Sequence, residues 1–257
     1  MTRKKAYIPF ELVKKIVREN PQIRSYGLND WGEPLLHPQF LEIVKYLKDS
    51  GKSVFFATNA TLLDEKMATE LVRLKVDSIW FSMDGVFEDY ERIRGVSYEL
   101  VKGNILRFLD MAKEAGHKVV TFIVATVGED SEKGIKRLRK EWSGKMPVLT
   151  QPKLLFTKDD RKGACAQLFM DHLVVLSDGK VIPCCADYEG RLEIGDAWEN
   201  TLTEIINGEK MNALRRDSSG TFCDYCSEYD SREAVPRFKV NPHVARLKTI
   251  IRNVSNR

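Results

Sequence analysis

The 257-residue sequence predicts an α/β chain of successive parallel βα units carrying a small, cysteine-bearing α+β appendage. Apolar β-rich runs alternate with amphipathic stretches through the first half, as parallel sheets require. Polar residues crowd at the C-terminal end of each run. All five cysteines (Cys165, Cys184, Cys185, Cys223, Cys226) fall in the last 93 residues.

The N-terminus is charged. Tyr7–Arg18 reads as a loop and helix holding Glu11, Lys14, Lys15 and Arg18, unlike the apolar core of a secretory signal. Strands are expected at Ile23–Asn29, Ser53–Asn59, Ser78–Asp84 and Val119–Val127. Helices are expected between them at Gln39–Lys48, Asp64–Leu74 and Tyr98–Ala115. In the last, Leu100, Ile105, Leu106, Leu109 and Ala112 recur at helical spacing. His37-Pro38 suits the first turn of a helix, and Gly51 and Gly116 suit left-handed caps. His37 and His117 read as structural rather than catalytic.

The cores of these strands, Val54-Phe55-Phe56, Ile79-Trp80-Phe81 and Phe122-Ile123-Val124, are apolar at consecutive positions. That pattern suits a parallel sheet covered on both faces. Such sheets gather chemistry at the C-terminal strand ends. Those ends hold Asp30-Trp31-Gly32-Glu33-Pro34, Thr58-Asn59, Ser82-Met83-Asp84-Gly85 and Thr126.

After about Pro152 the pattern changes. Leu173–Leu176 and Lys180–Pro183 flank Ser177-Asp178-Gly179 as a hairpin, followed by a helix near Leu202–Arg215 and the Cys223/Cys226 pair. The expected division is 1–155, 156–231 and a basic C-terminal helix or tail, 232–257. That last segment holds seven Lys or Arg against one acid, and reads as a solvated face rather than a nucleic-acid surface. No apolar run reaches the ~20 residues that cross a bilayer. A cytoplasmic location is expected, where clustered cysteines signal metal rather than disulfides. Four thiolates suit an iron–sulfur cluster or tetrahedral zinc, and residue chemistry alone leaves both open.

Over roughly residues 7–150 the strand-end residues resemble the radical S-adenosylmethionine (SAM) superfamily. Trp31-Gly32-Glu33-Pro34 is similar to its Gly-Gly-Glu-Pro motif, with tryptophan in place of the first glycine. The resemblance implies that Gly32 and Glu33 hold the amino group of SAM. Thr58-Asn59-Ala60-Thr61-Leu62-Leu63 resembles the third-strand segment, with Ala60 replacing a glycine, and Asn59 is a candidate cofactor contact. Ser82-Met83-Asp84-Gly85 resembles the fourth-strand pattern, implicating Ser82 and Asp84 near the ribose. Tyr90-Glu91-Arg92-Ile93-Arg94-Gly95 nominates Arg94 for the SAM carboxylate. The C-terminal part resembles the twitch domain, a shortened SPASM domain. Its spacing selects Cys165, Cys184, Cys223 and Cys226 as ligands of one auxiliary cluster, 4Fe–4S in preference to 2Fe–2S. Neighbouring side chains on a strand point to opposite faces, so only one of Cys184 and Cys185 is expected to ligate.

The resemblance therefore implies an incomplete (β/α)6 radical SAM barrel, its first strand missing, joined to a cysteine-ligated twitch domain. The family's CxxxCxxC loop is absent, since no cysteine precedes Cys165. A shortened chain is the favoured explanation, with one edge of its first remaining strand bared. The complete form would cleave SAM reductively and abstract hydrogen from an unknown substrate (peptide, sugar, nucleotide or other small molecule), served by an electron donor. The chain as given is expected to be inactive in SAM cleavage. The alternatives are a non-catalytic cluster-bearing scaffold and a zinc-stabilised interaction module.

Overall fold

The computed structural model describes residues 6–29, 31–128, 131–153, 155, 163–170, 172–226 and 248–251. In chain order its elements are α1 (Phe10–Glu19), β1 (Ser25–Gly27), α2 (Phe40–Asp49), β2 (Ser53–Thr58), α3 (Glu65–Arg73), β3 (Ser78–Ser82), α4 (Phe87–Arg94), α5 (Tyr98–Glu114) and β4 (Val120–Val127). There follow α6 (Glu132–Glu141), β5 (Val148–Pro152), β6 (His172–Val175), β7 (Lys180–Ile182), β8 (Gly195–Asp196), α7 (Leu202–Asn207), α8 (Glu209–Arg216) and β9 (Lys248–Ile251). The α/β class is the one the sequence predicts. The chain divides into two compact units: Glu33–Asp49 with Ser53–Lys153, and the remainder.

In the unit built from the middle of the chain, β2, β3, β4 and β5 lie side by side in parallel. Alternation sorts their side chains. Val54, Phe56, Ile79, Phe81, Ile123 and Ala125 are buried on one face. Phe56 meets Phe40 of α2 edge-on at 5.1 Å, and Phe81 meets Phe108 of α5 at 6.5 Å. Each such fully buried ring contributes roughly 1.5–3 kcal/mol. The other face is half-buried, not fully covered as its apolar sequence suggests. There Phe55, Trp80 and Phe122 stack in a row, with centroids 5.3 and 5.2 Å apart. Asp77 ties the strand starts together, accepting from Lys48 Nζ at 2.6 Å and from the Val54 backbone at 2.7 Å.

Helix ends follow local chemistry. Asp64 caps α3 by accepting from the Met67 backbone at 2.8 Å, and Ser97 caps α5. The helix expected from His37-Pro38 starts later, at Phe40, because Pro34–Leu36 forms a 3-10 turn that His37 closes. Gly51 and Gly116 take the left-handed conformation their sequence positions suggest, at φ +69° and +63°.

The second unit brings the N-terminal segment together with the C-terminal region. Helix α1 buries Leu12, Val13, Ile16 and Val17. Lys15 Nζ donates to the Ala197 carbonyl at 3.0 Å, and Asn20 Oδ1 accepts from the Thr203 backbone at 3.4 Å. The small antiparallel sheet is the expected hairpin, β6 with β7, extended by β8. Gly179 turns it at φ +98°, against Trp198, which would lie 2.4 Å from any added Cβ.

Two expectations change here. The single helix expected near Leu202–Arg215 is two, α7 and α8, because Gly208 is extended at ψ 163°. Thr201 and Glu204 close a capping box on α7. The edge of β1 expected to be bare is paired in parallel with β9, Ser25 opposite Lys248, and β9 also pairs with β6. Thr249-Ile250-Ile251 is β-prone and supplies the backbone groups that an open edge lacks. Lys248–Ile251 is thus a strand, while the rest of the basic segment, 232–247 and 252–257, lies outside the described residues. Among the described residues, no strand precedes α1 and no helix is long and apolar enough to cross a membrane.

Candidate cofactor and cluster sites

Glu33 is the centre of the strand-end site. Its carboxylate is 7% exposed. One oxygen accepts from Thr58 Oγ1 at 2.7 Å and from the Leu35 backbone at 3.1 Å; the other accepts from the Asn59 backbone at 2.8 Å. Burial pushes the Glu33 pKa up, and these hydrogen bonds and the nearby Arg94 charge pull part of it back. A buried carboxylate is the charge complement of an ammonium group. The site therefore fits the role the resemblance implies, although Glu33 also braces the end of β2.

The other candidates sit as follows. Gly32 is an exposed turn residue directly before Glu33. Asn59 spends its side-chain oxygen locally, accepting from the backbone and hydroxyl of Thr61 at 2.9 and 2.7 Å. Ser82 ends β3, half-buried and in register with Val124. Asp84 accepts from the Thr126 backbone at 2.8 Å and pairs with Arg94 at 2.5 Å. Arg94 Nε is buried with no hydrogen-bond partner among the described residues. An anionic oxygen would satisfy that donor, so Arg94 fits a carboxylate ligand.

In the other unit, one pocket is lined by Cys165, Cys184, Cys223 and Cys226 with Leu168, Ala186, Leu192 and Phe222, and encloses about 360 Å³ of empty space, part of it open to solvent. Cys185 is exposed and does not line it. Backbone bonds hold each ligand segment. The Ser218 backbone donates to Gly163 at 3.0 Å beside Cys165, and Thr221 accepts from the Cys223 backbone at 3.2 Å. Hydrogen bonding to Cys185 and then burial hold the Cys184 thiol well above its ordinary pKa, and burial raises Cys223. Among the described residues, no three His, Cys, Asp or Glu are drawn together as a single ion requires. Zinc needs four sulfurs at about 2.3 Å from one centre. Four thiols around one pocket are the donor set of an iron–sulfur cluster, and the residues fit that group.

Sequence reasoning passed over the roles of two participants, Thr58 and Asp187. Thr58 was read as a strand end, but it donates to Glu33. Asp187 is fully buried and accepts from the Arg191 and Leu192 backbones at 3.0 and 2.7 Å, closing the loop that follows Cys184. His37 and His117 do serve structure: the first accepts from the Gln39 backbone at 3.0 Å, and the second lies 2.8 Å from the Val76 carbonyl. An aspartate before Tyr-Glu-Gly was the one available signal for the Asp187 turn.

Residues 4–139 match the family described as the radical SAM superfamily, and residues 165–227 match SPASM, an iron–sulfur cluster-binding domain. A tungsten-containing aldehyde ferredoxin oxidoreductase cofactor-modifying protein of Pyrococcus furiosus is 39% identical over 64 residues, 25% of this chain and 18% of the relative. An Fe-coproporphyrin III synthase of Methanosarcina barkeri is 31% identical over 88 residues, 34% of this chain and 22% of the relative. The matched stretches thus span about a fifth of each curated relative. The solved structure of native anSMEcpe with bound AdoMet superposes with a TM-score of 0.63 at 17% identity, over 83% of this chain and 76% of that one, which shows a shared fold. Since one family match covers more than half its length, the chain belongs to the radical SAM superfamily, with the superfamily's iron–sulfur and SAM cofactors and a C-terminal SPASM-type domain.

Proposed function

We propose that this chain supplies the SAM-binding strand ends and the auxiliary-cluster domain of an enzyme that modifies a small cofactor-type substrate. The buried Glu33 carboxylate, held by Thr58 and Asn59 near Arg94, carries the reading. When bound, the iron–sulfur and SAM groups would supply reductive SAM cleavage and hydrogen abstraction. The chain's residues hold and orient: Glu33 takes the SAM ammonium and Arg94 its carboxylate, while Cys165, Cys184, Cys223 and Cys226 hold the auxiliary cluster.

A flat cofactor precursor is favoured as substrate over a peptide, a sugar or a nucleotide. Two of the sequence relatives are named for cofactor modification and porphyrin synthesis. The half-buried Phe55–Trp80–Phe122 row, its rings stacked on one another, offers an apolar aromatic surface against which a flat ring packs. An external electron donor serves the clusters. No cysteine precedes Cys165, so on this reading the chain alone does not cleave SAM.

The test is anaerobic reconstitution with iron, sulfide and a reductant. The chain alone should give no 5′-deoxyadenosine above a no-protein control, and a form extended in frame by a CxxxCxxC segment should give it. Production by the chain alone would show that other ligands hold the catalytic cluster. A shift of the Soret band when Fe-coproporphyrin III is titrated into the chain, weakened several-fold in affinity by Trp80→Ala, supports the planar substrate; equal affinity in both removes it.

A further inference from the structure

We propose that Trp31 is a positioning residue for the auxiliary cluster, holding the Cys185–Ala186 peptide just after the ligand Cys184 from 154 residues upstream. The inference rests on the cluster reading given above. The indole Nε1 donates to the Cys185 carbonyl at 2.7 Å, at the short end of the N–H···O range. Its ring leans on Tyr188, with centroids 5.0 Å apart and planes at 54°. The indole thus grips the ligand loop twice, at the Cys185–Ala186 peptide and again at Tyr188, four residues after Cys184.

The rest of the loop braces itself. Asp187 N donates to the Cys184 carbonyl at 3.3 Å, Tyr188 N to Ala186 at 3.0 Å and Gly190 N to Asp187 at 3.1 Å. The Asp187 carboxylate closes its far side on Arg191 and Leu192. These contacts all come from within the loop. Trp31 fastens it from a distant part of the chain.

Core packing does not account for this tryptophan, because Trp31 stays 37% exposed. What the indole adds is a donor and a flat face aimed at the ligand loop. Partners of this kind orient a cluster's ligands, and hydrogen bonding and solvent access around the sulfurs set its retention and electronic signature.

The test uses the full chain, reconstituted anaerobically with iron and sulfide. Trp31→Phe keeps a ring against Tyr188 and deletes the donor. Tyr188→Phe keeps the ring, and Tyr188→Ala removes it. Iron per chain, the rate of iron loss to a ferrous chelator, the EPR spectrum of the reduced cluster and the thermal midpoint are measured for each. Trp31→Phe should load iron to the wild-type level with little change in midpoint, yet lose it several-fold faster and show a shifted EPR spectrum. Tyr188→Ala should behave likewise and Tyr188→Phe as wild type. If Trp31→Phe does not fold, Tyr188→Ala carries the same expectation. A loaded wild type whose variants match it in rate and spectrum overturns the inference alone. A wild-type chain that takes up no iron removes the cluster reading, and this inference with it.

Discussion

Arg94 reaches the Asp84 carboxylate at 2.5 Å while its Nε stays buried with no partner among the described residues. The ion pair fixes the guanidinium and leaves one donor for a ligand. Asp84→Asn keeps an oxygen for the Thr126 backbone but strips the counter-charge from a mostly buried arginine. It should cost about 1–3 kcal/mol in urea denaturation. Arg94→Lys keeps the charge and loses the planar fork. In a SAM-binding form it should weaken SAM by roughly tenfold or more, measured by equilibrium dialysis.

Glu33 makes stability depend on pH in an unusual direction for a carboxylate. Its pKa is raised from 4.5, so the folded chain holds that proton more tightly than the unfolded chain does. The group's stabilising contribution is therefore full below the unfolded value. It is lost as pH rises through the higher folded one. Glu33→Gln should remove this slope, seen as the wild-type-minus-variant difference in unfolding free energy from pH 4 upward. A difference that does not change with pH would show that Glu33 is not perturbed.

Ala60 occupies the left-handed region at φ +58°. Its backbone N donates to Thr58 Oγ1 at 2.9 Å and its carbonyl accepts from Asn104 at 2.9 Å, so the turn cannot relax. The superfamily's glycine avoids this strain. Ala60→Gly should stabilise the chain by about 0.5–1 kcal/mol, the relieved strain outweighing one lost methyl. A lower thermal midpoint would contradict this.

Gly179→Ala should cost about 2–3 kcal/mol, since its Cβ would meet Trp198 at 2.4 Å in a left-handed turn. In a Trp198→Ala background only the backbone strain remains, so the two changes should couple rather than add.

The cysteines can be told apart by iron. Cys165→Ala, Cys184→Ala, Cys223→Ala and Cys226→Ala should each lose most iron–sulfur absorbance after reconstitution, and Cys185→Ala should keep it. The reverse result at 184 and 185 would move the ligand by one residue, to the thiol that faces solvent here.

Strands β2, β3 and β4 were legible because apolar β-formers run consecutively between turn residues, as in Val54-Phe55-Phe56. Elements β5 and α6 gave no comparable signal. α6 buries only Ile135 and Leu138 among charged residues, too sparse a stripe to read. The break at Gly208 was hidden because one glycine inside a helical pattern is usually tolerated. β9 depends on partners more than 70 residues away, which no local pattern encodes. Site order was visible at the strand ends, but not which oxygen of Glu33 meets Thr58, nor that Asn59 turns its side chain to Thr61. Strand alternation could limit the adjacent cysteines to one ligand; only the folded loop separates the exposed thiol from the one in the pocket.

The contacts of α1 with Ala197 and Thr203 also bear on how the chain is made. Residues 33–153 form a unit that is complete as soon as they leave the ribosome, apart from the short Ser50–Lys52 segment. The segment synthesised before them has no such option. The bonds that join Lys15 to Ala197 and Asn20 to Thr203 form only after those partners emerge, 182 and 183 positions later. For most of synthesis α1 lacks these two anchors, and a helix with an apolar stripe of Leu12, Val13, Ile16 and Val17 that is not yet fastened is a target for chaperones and a seed for aggregation. Closure of so long a loop makes docking of α1 a late step in folding, after the middle unit has formed.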